Sequence, residues 1–255
     1  MGGAAGSSVG QGSGEGPSGP QRVAAVIAAR DDRDTIAATV RACRAIPGVD
    51  LIVVVDDGSD DDTGAVARLG GAAVVRHSVP RGRSSALETG VKVVAMRDRA
   101  DWPARHVLFL DADLGDSAVE SSVLVDAVTS GAASCAIGVP IGDEPQPIRR
   151  LARSAARAIR NHTGWVSADP LATNRCLTRA DLTQIMPFAA GSAVDLAMTL
   201  DLLASGVDVV EIPCAFEHQP NARKPKSSRW HTNRSDAWLA VQSRRLKRMR
   251  PHRRR

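Results

Sequence analysis

Short, almost uninterrupted apolar runs recur along this chain, and they constrain its fold more than any other feature: residues 23–29 (VAAVIAA), 51–55 (LIVVV), 72–75 (AAVV), 107–110 (VLFL) and 133–139 (ASCAIGV). A strand that is apolar throughout, rather than at alternate positions, is covered on both faces, as in a parallel sheet between helical layers. The gaps between runs are long enough for a helix each, so the expected class is α/β, a mostly parallel sheet flanked by helices in βαβα order. In the first gap Ile36, Val40 and Cys43 share one helix face, Asp31, Asp32 and Asp34 lie near its positive end, and Pro47-Gly48 stops it. After Pro140 the rhythm weakens. Residues 143–145 read as a loop, 148–159 as an arginine-rich helix, 194–203 as a helix with Leu196, Leu200 and Leu203 on one face, and 207–216 as a further strand.

Composition matters at the two ends. The net charge of +5 arises in residues 244–255, which hold eight Lys or Arg and no acid, leaving 25 basic against 28 acidic residues before them. Basicity therefore belongs to the tail, and no specific nucleic-acid partner is expected of the body. Residues 1–21 are a Gly/Ser-rich leader without the basic start or apolar centre of a secretory signal, and are expected to be disordered. Residues 22–220 are expected to form the domain and 221–255 a basic, loosely held tail. No apolar run approaches the roughly 20 residues of a spanning helix, which argues against an integral membrane protein. Cys43, Cys135, Cys176 and Cys214 are too far apart for a zinc site and too few for a disulfide framework. They read as buried thiols of a cytoplasmic protein. The tail could also hold the chain peripherally at the inner face of an anionic membrane, or simply keep it soluble.

Open α/β sheets bind ligands beyond the carboxyl ends of their strands. Three loops there are patterned: Arg30-Asp31-Asp32, the segment Asp56-Asp57-Gly58-Ser59-Asp60-Asp61-Asp62-Thr63, and Asp111-Ala112-Asp113. Carboxylates crowded on one rim repel, so a cation or a hydrogen-bonding ligand is the natural compensation. Asp111 and Asp113, at i and i+2 of an extended segment, project to the same side and can share a hard divalent cation that keeps part of its shell for phosphate. An isolated Asp-x-Asp reads more readily as two solvated aspartates; its place at the end of an apolar strand reverses that preference toward the cation. Helix capping accounts for Ser59 or Asp60 but not for Asp56 and Asp57, which suit the N–H and hydroxyl groups of a base and ribose. Arg81 and Arg83 precede a helix start, an arrangement suited to phosphate, or to a solvated basic loop.

The ordered series VIAARDD (26–32), VVDDGSDDDT (54–63), GRSSAL (82–87) and LDADL (110–114) resembles the family-two glycosyltransferases of the GT-A fold, including polyprenyl-phosphate sugar transferases and, less closely, glucosyl-3-phosphoglycerate synthases, over roughly Arg22 to His218. The resemblance implies that Ala28, Ala29 and Asp32 hold the nucleoside, that Asp56 and Asp57 meet base and ribose, and that Arg83 stands where the family often has a lysine near the phosphates. It implies that Asp111 and Ala112 line the donor, that Asp111, Asp113 and His218 ligate Mg²⁺ or Mn²⁺, and that residues 169–175 (DPLATNR) form the acceptor side. Asp113 and Asp195 are the implied catalytic residues, Asp195 as general base toward a hydroxyl acceptor. Ala28 replaces the usual proline, Asp31 the usual asparagine, and Asp195 the more frequent glutamate.

The implied activity is metal-dependent transfer of a sugar from a nucleoside diphosphate sugar to a small or lipid-linked acceptor, of polyprenyl phosphate or phosphoglycerate type. A non-catalytic sugar-nucleotide-binding protein and a nucleotidyltransferase with a similar acidic site are the alternatives. The latter normally carries a basic, glycine-rich turn where this chain has Arg30-Asp31-Asp32. Without tyrosine, and with only four Trp and three Phe, the chain offers few platforms for a long polysaccharide. His162 and Trp165 precede the acceptor segment, where Trp165 reads more readily as packing; His77 and His106 read as structural.

Overall fold

Every residue of strand β1 (Val23–Ala29) is buried, with Val23, Ala25, Ile27 and Ala29 in one core and Ala24, Val26 and Ala28 in another. This two-sided burial is why the run is apolar throughout instead of alternating. In the computed structural model, which describes residues 19–141, 146–219 and 234–249, β1 pairs in parallel with β2 (Val49–Asp56) on one side and β4 (His106–Asp111) on the other. Strand β3 (Ala73–Arg76) extends the sheet beyond β2. Past β4 come β6 (Arg175–Leu177), β5 (Cys135–Pro140) and β7 (Val209–Cys214), giving the order β3-β2-β1-β4-β6-β5-β7. Only β6 runs antiparallel, to both β4 and β5. The α/β class and mostly parallel sheet are as expected; the three-residue β6 is too short to have been read from its own pattern.

Helices α1 (Ile36–Cys43), α2 (Thr63–Leu69) and α4 (Ser122–Thr129) cover one face, with a 3₁₀ turn, Gly115–Ser121, leading into α4. On the opposite face Leu87, Val91 and Val94 of α3 (Arg83–Met96), Leu182 of α6 (Arg179–Gln184) and Val194, Met198 and Leu202 of α7 (Val194–Ala204) pack against Val26 and Phe109. A satellite core joins Ala155 and Ile159 of α5 (Gln146–Thr163) to Leu196 and Leu200 of α7 and Ala237 of α8 (Arg234–Met249). Helix α8 lies inside the stretch read as a loosely held tail. The small face that docks it, Ala237 and Ala240, is inconspicuous among its basic neighbours. Among the described residues no helix is long and apolar enough to cross a membrane.

Helix α3 lies close on β1 because Gly90 has no side chain: a Cβ there would come within 2.3 Å of Val26 Cγ1. Helix propensity alone would make Gly90→Ala stabilising by about 1 kcal/mol. Overpacking reverses the sign, and a loss of about 1–3 kcal/mol is expected in urea unfolding. All four cysteines are free and buried, and burial pushes the Cys43 and Cys135 thiols up to about 12. A thiol with a raised pKa is protonated, and so unreactive, at mildly alkaline pH. Native protein at about pH 8 should therefore resist a thiol reagent and titrate four thiols only once unfolded.

Candidate active site

Strands β2 and β4 leave β1 on opposite sides, so the β1–β4 junction is a topological switch point, where α/β sheets open a crevice. The loops that border it are laced together. The Asp31 N–H donates to Ser59 Oγ at 3.0 Å, the Asp60 N–H returns to Asp31 Oδ1 at 2.8 Å, and the Asp32 N–H donates to Thr63 Oγ1 at 2.8 Å. Asp31 takes a left-handed backbone, φ 54°, and α1 begins only at Ile36, so the aspartates read as a helix start belong to this lacing loop.

The three carboxylates expected to meet the nucleoside face inward. Asp32 Oδ2 accepts from the Arg30 N–H at 2.9 Å, and Asp56 Oδ1 from the Ser59 N–H at 2.9 Å. Asp57 accepts from the N–H groups of Arg81 and Gly82, both at 2.8 Å, and its Oδ1 lies 2.7 Å from His77 Nδ1. All three are buried. Their oxygens fix the loops after β1, β2 and β3, a task the sequence reading did not assign to them. Gly58 belongs to the same construction, since a Cβ at its φ of 72° would come within 2.8 Å of Pro80 N. Ala28 and Ala29 are buried at the end of β1, and the Ala29 carbonyl accepts the Asp57 N–H at 2.8 Å.

Arg83, 1% exposed, reaches from the first turn of α3 to two acids: Nη1 to Asp111 Oδ1 and Nε to Asp195 Oδ2, each at 2.9 Å. The guanidinium thus bridges the end of β4 to the start of α7. Thr173 Oγ1 donates to Asp111 Oδ2 at 2.5 Å, and Asn174 Oδ1 accepts the Asp111 N–H at 2.9 Å. Burial works against ionising Asp111, but Arg83, His218 and the Thr173 hydrogen bond outweigh it and hold the carboxyl below its ordinary value. Burial likewise disfavours the charged Arg83, and the two aspartates overcome it, so the guanidinium is held charged. Arg175, also buried, donates to the Asp195 carbonyl at 3.2 Å, Thr199 Oγ1 at 3.1 Å and the Ala172 carbonyl at 2.5 Å, tying the 169–175 segment to α7.

Asp113 and His218 meet on the open side, Oδ1 to Nδ1 at 2.8 Å, while the Gln219 N–H donates to the Asp113 carbonyl at 2.7 Å. One ligand atom each of Asp111, Asp113 and His218 falls within a 4.8 Å cluster. Two carboxylates and an imidazole fit a divalent cation that completes its shell with water or phosphate oxygen. The connecting Ala112 is held through its carbonyl, which accepts from Thr39 Oγ1 at 2.9 Å and Thr35 Oγ1 at 3.2 Å. These threonines, with Thr173, Asn174 and Arg175, support the site without having been singled out individually. The pair Thr35 and Thr39, one turn apart on an otherwise apolar helix face, was the available signal. His77 is structural as expected, and Trp165 packs at the edge of two cores.

Arg83→Met leaves two buried aspartates without their shared cation and should cost about 3–5 kcal/mol in chemical unfolding, with Arg83→Met/Asp195→Asn recovering part of it. Because the native Asp111 pKa is depressed, its ion pair stabilises the fold above about pH 4 and is lost as pH falls through the native value. Asp111→Asn should therefore flatten the acid limb of stability against pH.

Comparison with known proteins agrees with this geometry. The sequence pattern described as glycosyl transferase family 2 matches residues 24–184. A curated relative, the succinoglycan biosynthesis protein ExoU of Rhizobium meliloti (strain 1021), is 31% identical over 126 residues; that match covers 45% of this chain and 37% of the relative, so the chain spans well under half of its length. Among solved structures, glucosyl-3-phosphoglycerate synthase of Mycobacterium tuberculosis in complex with phosphoglyceric acid superposes with a TM-score of 0.65 at 23% identity, covering 79% of this chain and 73% of that one. The same synthase in complex with Mg²⁺ and uridine diphosphate gives a TM-score of 0.64 at 25% identity, over 79% and 72%. The sheet order and helical layers are those of the GT-A fold. Matched over more than half its length, from the first strand to the end of α6, the chain belongs to glycosyl transferase family 2.

Proposed function

We propose that this chain transfers a sugar from a nucleoside diphosphate sugar to a small or lipid-linked acceptor that carries a phosphate. The observation that carries the reading is the gathering of Asp111, Asp113 and His218 at the switch point, with Arg83 fixed behind them. Family membership and the similar synthase bound to Mg²⁺ and uridine diphosphate support the donor class. Asp111, Asp113 and His218 would hold Mg²⁺ or Mn²⁺, which supplies positive charge to the departing diphosphate.

The protein's own share is preorganisation. Arg83 and Thr173 lock the Asp111 carboxylate in one orientation, and Asn174, Thr35 and Thr39 lock the backbone on either side of it. Ala28, Ala29 and the laced loops that Asp32, Asp56 and Asp57 hold together form the nucleoside side, with ligand contact through their backbone edges. The acceptor side is the 169–175 segment, fastened by Arg175. Asp195, the residue implied as base toward a hydroxyl acceptor, is 2% exposed and paired with Arg83 and Arg175, which weakens it as a proton acceptor and favours an acceptor that needs no base. An ionised phosphate acceptor attacks without that help. The catalytic unit spans 22–220, with α8 docked on α7. Four unpaired buried thiols are in keeping with work in the cytoplasm, and the basic run 244–255 would draw the protein to an anionic membrane surface.

A thermal-shift screen of UDP-, GDP- and ADP-sugars, with and without Mn²⁺, tests the reading. One donor at a hundred times its dissociation constant should stabilise the fold by roughly 2.7 kcal/mol, and only with the metal present. Asp113→Asn should abolish the metal-dependent part and the transfer activity while leaving the melting temperature without ligand nearly unchanged. Stabilisation by nucleotide sugars without any transfer or hydrolysis would point to a binding protein instead.

A further inference from the structure

Helix α5 has no counterpart among the site-forming elements, and its exposed side is unusual. Arg150, Arg153, Arg157 and Arg160, spaced three, four and three residues apart, are all exposed and fall on one side, while Ala155 and Ile159 on the other are buried against α7 and α8. The helix carries no Asp or Glu, so no acid on its own surface neutralises the stripe. Among the described residues Arg150, Arg157 and Arg160 make no ion pair.

The neighbouring helix supplies what an arginine stripe lacks. On α8, Ala237 and Ala240 face the shared core and leave Trp238 61% exposed and Leu239 56% exposed on the outer side. Helices α5 and α8 pack against each other, and a row of cations on one with two large apolar side chains exposed on the other is what a helix pair lying in a membrane interface presents: arginines reach headgroup phosphates, tryptophan sits at the polar boundary, and leucine enters the acyl region. A polynucleotide would engage the arginines but give Leu239 no apolar environment. A second copy of the chain would bring two arginine stripes together.

We propose that the outer face of α5 and α8 is a docking surface for an anionic phospholipid bilayer, with Arg150, Arg153, Arg157 and Arg160 binding headgroup phosphates and Trp238 and Leu239 inserting. This deepens the membrane reading of the basic run by assigning attachment to a folded surface, and it does not depend on which sugar is transferred. Helix α5 follows the carboxyl end of β5, on the rim where the site opens, so docking would bring that rim near a lipid-borne phosphate.

The test is co-sedimentation of the full chain with vesicles of phosphatidylglycerol and phosphatidylcholine in equal parts, against phosphatidylcholine alone, at about 0.1 M salt. Binding is expected only to the anionic vesicles, weakening as salt is raised, with a blue shift of tryptophan emission that Trp238→Phe removes. Neutralising three arginines, in Arg150→Gln/Arg157→Gln/Arg160→Gln, should lower partitioning by roughly 100-fold, the equivalent of about 1 kcal/mol for each arginine. Trp238→Ser/Leu239→Ser should weaken binding independently. Unchanged partitioning of the triple variant overturns the proposal. If instead Arg253→Gln/Arg254→Gln/Arg255→Gln alone abolishes binding, attachment belongs to the tail and not to this face. Burial of Trp238 in a dimer, or tighter binding of an RNA oligonucleotide than of vesicles at equal salt, overturns it as well.

Discussion

One buried guanidinium holds this site together. Arg83 ties the start of α3 to the end of β4 through Asp111 and to the start of α7 through Asp195, so three elements far apart in sequence meet on one charge. Removing ions from water costs several kcal/mol each, which only close, multiply hydrogen-bonded pairing offsets. With Arg175 alongside, two arginines face two aspartates in a nearly dry cluster, and each is placed by the others. Such a cluster tolerates little displacement, which is a useful property behind a site that must hold a cation and a diphosphate in register.

The crowd of carboxylates on the sheet rim is tolerated for a different reason than its sequence suggests. Read as a string, the aspartates call for an external cation. In the folded chain most of the compensation is internal: backbone N–H groups satisfy Asp32, Asp56 and Asp57, and arginines satisfy Asp111 and Asp195. That division leaves Asp113 and His218 on the open side, within 4.8 Å of a carboxylate oxygen of the buried Asp111, as the set suited to a metal. The inward carboxylates act as staples for loops whose backbone borders the crevice. Nucleoside recognition by this chain would then depend on loop shape as much as on charge.

Legibility differed by element. The buried strands were readable because burial on both faces leaves an unbroken apolar run, and the strand-end acids were readable because nothing in core packing calls for charge there. Strand β6 was not: three residues carry no period, and it exists because β4 and β5 leave a gap that Arg175–Leu177 fills with antiparallel hydrogen bonds. Helix α8 was hidden by composition, since its docking face is two alanines within a basic stretch. The pairing of Arg83 with Asp195 joins residues 112 positions apart, and no local pattern announces such a contact.

By itself the sequence determined the layered α/β architecture and the rim on which acidic residues gather, since hydrophobic period and residue type are local properties that survive without coordinates. His218 entered the candidate set through the family resemblance, not through any local pattern. Only the tertiary structure decided which acids are spent inside the protein and which remain for a ligand. That outcome depends on distances of about 3 Å between groups remote in the chain, where burial and hydrogen-bond geometry, not identity, set the role of each carboxylate.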